Sequence, residues 1–383
     1  MNREELEAIL NCPEITDIQR ANIEAVVKYG SNNKAAKALK RNRKTIDASV
    51  NRARATARQY YEPGFSTERK TIQVGAQGEI ERIWYKTKAN PEKANDSLVR
   101  ALEEYSPKPF PIVKQPKAKP DSDYLDLLTI TDFHVGMLAW SAECGDDWDI
   151  KVAEQTLANA IHDMIAKAKV RQNSKTAVLN IQGDFLHWDQ LIAVTNQSGH
   201  ILDADTRTAK MIAISMDAVD WAVLELLENY QKVIVVICEG NHDEVGSIWL
   251  RKHCLKMFAK NKRVEVLDIE FPYYALLHGE VMLCFHHGHK KKNPELQKVF
   301  SGEPRYRPMW GQANYAYIHT GHYPQQEKSV DELGGCIVER HPTLAAADAY
   351  AVRGGYISKR GAHVITYHKT HGEVDRSTVY PRS

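Results

Sequence analysis

Apolar residues fall at two spacings along this chain, and the change from one to the other divides it. Over residues 14–59 the spacing is helical. Ile15, Ile18, Ile23, Val26 and Val27 lie roughly on one face, and Tyr29-Gly30-Ser31-Asn32 closes that helix. A short helix over Lys34–Leu39 follows, then a tight turn at Lys40-Arg41-Asn42 and a third helix over Arg43–Arg58. Small Ala36, with Leu39, Ile46 and Val50, suits two short helices packed closely across that turn. Next, Thr71–Val74 and Ile80–Tyr85 flank Gly75-Ala76-Gln77-Gly78, which predicts a β-hairpin within residues 65–88. A helical piece at Pro91–Glu104 leads into Ser106–Pro120, where five of fifteen residues are proline and four are lysine. That composition makes an extended, semi-stiff linker. The breaks divide the chain into residues 1–60, a hairpin and helix extension at 61–105, the linker at 106–122, and one large domain at 123–383.

Beyond the linker, apolar strands alternate with helices predicted over Asp149–Arg171, Asp203–Gln231 and Ser247–Lys260. After Lys262 strands dominate: Val264–Ile269, Tyr273–Leu277, Val281–Phe285, Cys336–Arg340, Val364–His368 and Val374–Tyr380. An αβ first half followed by a strand-rich second half predicts a mixed α/β domain, two sheets packed face to face with helices outside.

Five of the apolar runs end on polar groups that bind metals or phosphates. Tyr124–Ile130 leads to Asp132 and His134, which share a side on an extended backbone. Thr176–Gln182 runs into Gly183-Asp184-Phe185-Leu186-His187, and Lys232–Glu239 into Gly240-Asn241-His242-Asp243. Val281–Phe285 leads to His286-His287-Gly288-His289, and Tyr315–Thr320 to Gly321-His322. Five such ends are expected to converge on one sheet edge, where open α/β folds place their ligands.

Composition narrows the setting. The 383 residues are 43% hydrophobic and 26% charged, an ordinary globular balance, with a net charge of only +2. That figure hides ten Lys/Arg against one acid, Asp47, between Lys28 and Arg58, which predicts an anionic partner at the N-terminal end. Six cysteines without a CxxC pair imply neither a disulfide framework nor a zinc ribbon. The first residues lack the apolar core of a signal peptide, and no apolar run reaches a membrane span. A cytoplasmic protein with no membrane partner is expected.

The N-terminal helices resemble the helix-turn-helix modules of transcription factors and phage proteins. In such modules the third helix enters the major groove, which would set Arg43, Lys44, Thr45, Asn51 and Arg52 facing DNA. A solvated basic helical bundle is the plainer reading of the same residues.

The five strand-end motifs resemble, in order, those of calcineurin-like metallophosphoesterases, over most of residues 124–325. The resemblance implies a four-layer sandwich and a centre of two divalent ions. Asp184 would bridge them, Asp132 and His134 would hold the first, and Asn241, His287 and His322 the second. His242 would donate a proton to the leaving oxygen, and His187 matches a histidine that faces the scissile phosphate in double-strand-break repair nucleases. Mixed imidazole and oxygen donors without thiolate suit manganese first, with iron, Zn²⁺ and Mg²⁺ as alternatives. His289 and Lys290 are candidate substrate contacts on the rim. The motif forms Gly-Asp-Phe-Leu-His and Gly-Asn-His-Asp are closer to repair nucleases than to Ser/Thr protein phosphatases. One departure stands out. The family pattern ends Gly-His-x-His, whereas here Gly321-His322 is followed by Tyr323-Pro324. Water, or a substitute such as His319, would then complete the first site, or turnover would be impaired.

Three functions follow from this layout, which also looks like that of phage and prophage proteins. One is a metal-dependent DNA nuclease or end-processing phosphodiesterase delivered by the helix-turn-helix. The others are a phosphodiesterase of small or cyclic nucleotides, and a DNA-binding regulator with an impaired phosphoesterase domain. DNA is the expected partner, and a homo-oligomer is compatible with the sequence.

Overall fold

Thr16 opens the first long helix of the chain by accepting the amide of Gln19, whose side chain returns to the Thr16 amide at 2.8 Å, a complete capping box. The computed structural model describes residues 3–12, 15–61, 65–74, 80–89, 113–114, 116, 120–170, 173–196, 199–323, 330–333, 335–355 and 359–381. They belong to two units, residues 1–100 and 101–383. The helical piece at 91–104, most of the linker at 106–122, and Pro324 lie outside the described residues.

In the first unit, helices α1 (Arg3–Leu10), α2 (Asp17–Tyr29), α3 (Asn32–Ala38) and α4 (Arg43–Tyr61) precede a two-stranded antiparallel hairpin of β1 (Phe65–Val74) and β2 (Ile80–Ala89). The sequence reading missed α1, whose Leu6 and Ile9 join Ile15, Ile23, Val26, Ile46 and Val50 in one core. Ile18 does not belong to that face: it is 65% exposed. Gly30, left-handed at φ 76°, ends α2, and Ser31 caps α3 by accepting the Lys34 amide. The turn before α4 passes through Lys40 at φ 50°. Buried Asn22 donates to Ser49 at 2.8 Å and accepts from Arg41 at 2.6 Å, pinning α4 and its preceding turn to α2.

In the second unit, six strands are ordered β13-β12-β3-β4-β5-β6 and five are ordered β10-β11-β9-β8-β7. The first sheet comprises β3 (Asp121–Ile130), β4 (Ser174–Ile181), β5 (Lys232–Ile237), β6 (Val264–Val266), β12 (Ala362–His368) and β13 (Gly372–Val379). The second comprises β7 (Tyr274–His278), β8 (Val281–Phe285), β9 (Tyr315–Thr320), β10 (Val330–Leu333) and β11 (Cys336–Arg340). Strands β3 to β6 run parallel, as do β8, β9 and β11. β6 stops three residues short of the stretch its apolar residues predicted.

Period-two alternation builds the layers. Val281, Leu283 and Phe285 of β8 share a core with Leu125 and Leu127 of β3 and with Ile234 and Val236 of β5, so the two sheets pack face to face. The intervening Met282 and Cys284 pack on Leu296 and Phe300 of the helix Asn293–Gly302. On the far side of the six-stranded sheet, Leu128, Ile130, Val233 and Val235 pack against the helices Ile150–Lys169, Thr208–Asn229 and Glu244–Met257. The domain is therefore a helix–sheet–sheet–helix sandwich of mixed α/β class. All six cysteines are free. Among the described residues no helix is long and apolar enough to cross a membrane.

Candidate metal centre

The five motif-bearing strand ends do not lie on one sheet. β3, β4 and β5 belong to the six-stranded sheet and β8 and β9 to the other, and their C-terminal ends meet where the two sheets adjoin. Leaving a strand for such a centre demands sharp backbone turns. Among the described residues, five non-glycine positions have positive φ, and four of them are Asp132 (49°), His134 (50°), Asp184 (51°) and His322 (73°). Such backbones cost roughly 1–3 kcal/mol each and persist where the surroundings over-determine them.

The motif glycines are there for space. A Cβ on Gly240 would lie 2.0 Å from Asp184 Oδ1, one on Gly183 would lie 2.6 Å from His287 Nδ1, and one on Gly321 would lie 2.9 Å from Asp132 Oδ2. Backbone and ligand side chains approach too closely for any other residue.

The predicted ligands assemble into two groups with one member in common. Donor atoms of Asp132, His134 and Asp184 lie within 4.8 Å of one another, and so do those of Asp184, His287 and His322. His287 Nε2 sits 3.0 Å from Asp184 Oδ2 and 3.9 Å from Asp132 Oδ1, yet it makes no aligned hydrogen bond. That is the geometry of donors aimed at a common point. Its other nitrogen, Nδ1, is held by the Gln182 carbonyl at 2.9 Å, which turns Nε2 into the centre. Asn241 Oδ1 is likewise buried without a partner. Buried polar atoms are normally satisfied, so these orphans fit a metal pair.

His242 donates its backbone N–H to Asp184 Oδ1 at 2.8 Å, and its Nδ1 meets the His187 carbonyl at 2.7 Å. The His187 and His242 rings stack at 5.7 Å, and His187 Nδ1 lies 3.4 Å from His134 Nδ1. Burial opposes ionisation of Asp184, but His287 and His242 outweigh it and hold its carboxyl well below the usual range. Burial likewise opposes the charged form of His287, which the Asp184 and Asp132 carboxylates nonetheless raise to about 10. Burial, with the nearby imidazoles, keeps His134 below and His187 well below the ordinary histidine value.

Lys290 is not a free cation: its ammonium pairs with Glu239 at 2.6 Å and Glu244 at 3.2 Å. His289, lowered to about 3 by burial, then by His287 and His286, has both ring nitrogens buried without partners. His319, suggested as a substitute ligand for the first site, has both ring nitrogens engaged by other side chains. His319 Nδ1 is hydrogen-bonded with His341 Nε2 at 2.9 Å and its Nε2 with the Tyr367 hydroxyl at 3.3 Å, in a buried chain that ends on His363. In the first unit, Arg43, Lys44, Thr45, Asn51 and Arg52 are all exposed on α4, with Arg43 3.5 Å from Asp47.

Sequence reasoning gave no role to Asp243, which is 1% exposed and accepts the amides of Asp184, Phe185, Leu186 and Gly240 at 2.8–3.2 Å. Thr131, which donates to Asp132 Oδ2 at 2.5 Å, was missed as well. The available signal was position alone: each adjoins a motif ligand.

Comparison with protein-family models and with curated proteins finds no match. Among solved structures the chain is similar to an archaeal phosphodiesterase at 11% identity and a TM-score of 0.30, covering 66% of this chain and 98% of that one. It is also similar to the sulfate thiohydrolase SoxB of Termus thermophilus, at 12% identity, a TM-score of 0.32 and coverage of 69% and 58%. A third likeness is to a 5'-nucleotidase from Candida albicans, at 10% identity, a TM-score of 0.30 and coverage of 69% and 52%. The chain thus spans little more than half the length of the last two. Likenesses this distant carry no argument about activity, which rests on the residues themselves.

Proposed function

We propose that the chain is a metal-dependent phosphodiesterase of the calcineurin-like type, acting on DNA as a nuclease or end-processing enzyme and brought there by its N-terminal helices. The observation that carries this reading is Asp184, a carboxylate common to two ligand groups: Asp132 and His134 on one side, His287 and His322 on the other. Asn241 would join the second group. A divalent pair held there, manganese by preference, would supply charge neutralisation at the phosphoryl group and an activated water.

The chain's own residues do the rest. His242, its Nδ1–H held by the His187 carbonyl, presents Nε2, which in the imidazolium form would carry the proton released to the leaving oxygen. His187, stacked beside it, lines the same face. The five exposed polar residues of α4 supply phosphate and base contacts.

The test is a time course of linear plasmid and labelled single-stranded DNA with the full-length protein in Mn²⁺, with Asp184→Ala as the blank. Cleavage by the wild type alone is expected. Hydrolysis of cyclic or small nucleotides with DNA left intact would replace the nuclease reading, and no hydrolysis of either would leave a DNA-binding regulator.

A further inference from the structure

Beside the candidate metal pair lies a second acidic group that the proposed chemistry does not use. Glu239 lies just beyond β5, Glu244 opens the helix Glu244–Met257, and His289 follows β8. Donor atoms of the three lie within 4.8 Å of one another. Two carboxylates alone would say little. The second observation is His289, whose side chain is only 4% exposed and whose Nε2 faces Glu244 Oε1 at 3.9 Å. Neither of its ring nitrogens has a hydrogen-bond partner. A buried imidazole without a partner costs roughly 1–3 kcal/mol, so it points to a ligand.

We propose that Glu239, Glu244 and His289 form a third divalent-cation site on the rim of the metal centre, filled in exchange with the ammonium of Lys290. Two carboxylates and one imidazole are a donor set for Zn²⁺, which outranks manganese in affinity for such ligands. The Lys290 ammonium bridges the two glutamates at 2.6 and 3.2 Å, a cation already at the place where a metal would stand. Its side chain is 39% exposed and free to swing outward when a divalent ion arrives. The start of the Glu244 helix opposes the ion with about half a positive charge, too little to cancel two carboxylates. The site does not depend on the reading of the Asp184 pair.

The test is equilibrium dialysis of the full-length protein against Zn²⁺, with bound metal counted by mass spectrometry. Wild type should bind one equivalent more than either Glu239→Gln or Glu244→Gln, both near-isosteric and partly exposed, so folding is kept. Lys290→Met should tighten that equivalent by at least about tenfold, since it removes a competing unit charge at contact distance. Asp184→Asn should lose metal from the pair yet keep the rim equivalent, which separates the two sites. Equal metal counts in wild type and Glu244→Gln would overturn the proposal. So would unchanged affinity in Lys290→Met. A full metal count in Asp184→Asn would instead sink the paired-metal reading alone.

Discussion

Asp243 and Asp189 each serve the segment that the other leaves. Asp243 stands at the N-cap of the helix Glu244–Met257 but makes no capping bond there, turning its carboxylate to the Gly183–Leu186 loop. Asp189, further along that loop, accepts the amides of Val245 and Gly246 at 2.5 and 2.7 Å and caps the helix in its place. Burial raises both carboxyls, Asp189 to about 6 and Asp243, which also feels Asp184, to about 7. The exchange locks the Asp184 turn to the His242 turn. Asp243→Ala strands buried amides and should cost about 3 kcal/mol or more, with metal affinity down roughly 10- to 100-fold. Asp189→Ala should cost about 1 kcal/mol, as a lost helix cap does. Urea unfolding and Mn²⁺ titration measure the two effects, and equal metal affinity in both variants would refute the arrangement.

Gly240→Ala should damage the centre without undoing the fold. The added methyl lies 2.0 Å from Asp184 Oδ1, so the carboxylate must move. Gly30→Ala is the contrast: it meets nothing within 4 Å but forces alanine to φ 76°, at a cost of about 1–2 kcal/mol within the first unit. Metal counts by mass spectrometry should fall for Gly240→Ala and stay unchanged for Gly30→Ala.

Asp126 of β3 is tied to β4, to β12 and to the end of the helix Thr208–Asn229 through three hydroxyls. Its buried carboxylate accepts from Ser174 of β4 at 2.8 Å, Thr366 of β12 at 2.7 Å and Tyr230 at 2.9 Å. Burial raises its carboxyl despite those bonds. Asp126→Ala leaves the hydroxyls unpaired and should cost about 3 kcal/mol, whereas Asp126→Asn keeps part of the network. Equal unfolding midpoints for the two variants would contradict this.

The buried histidine chain should make the second unit sensitive to acid. Burial, then neighbouring imidazoles, hold His319 and His341 well below the ordinary value. Around them lie Tyr367, His363 and the Glu339–Arg376 pair, whose acid form appears only at lower pH. Both histidines stay neutral when folded but gain protons when unfolded, below about pH 6.5. Stability is therefore full above that value and falls as pH drops through it, by up to about 1.4 kcal/mol per pH unit for each. Unfolding midpoints between pH 7.5 and 5.5 should show the slope, and the double variant His319→Gln/His341→Gln should flatten it.

On α4, Lys44→Ala and Arg52→Ala change exposed side chains, so stability should move by less than about 0.5 kcal/mol. DNA affinity should drop for each, with the salt dependence shallower by about one ion per phosphate contact. Unaltered binding in both would remove DNA contact from this helix.

Alternation along β3, β5 and β8 was legible because which face a residue takes is a local property of an extended chain. The candidate ligands were legible for a related reason: metal chemistry restricts residue types, and each short motif sits at the end of its own strand. The Arg3–Leu10 helix escaped notice because so short a segment carries little periodicity, and Ile18 misled because one apolar residue fits a helical face without being buried. What tertiary structure alone decided is how distant segments meet. It brought the five ends together from two sheets, set Asp243 and Asp189 to serve each other's segments, and committed His319 to a chain behind the centre. It also tied Lys290 to two glutamates. Those outcomes depend on sheet order and on the sharp turns at Asp132, His134, Asp184 and His322, which packing imposes against local preference.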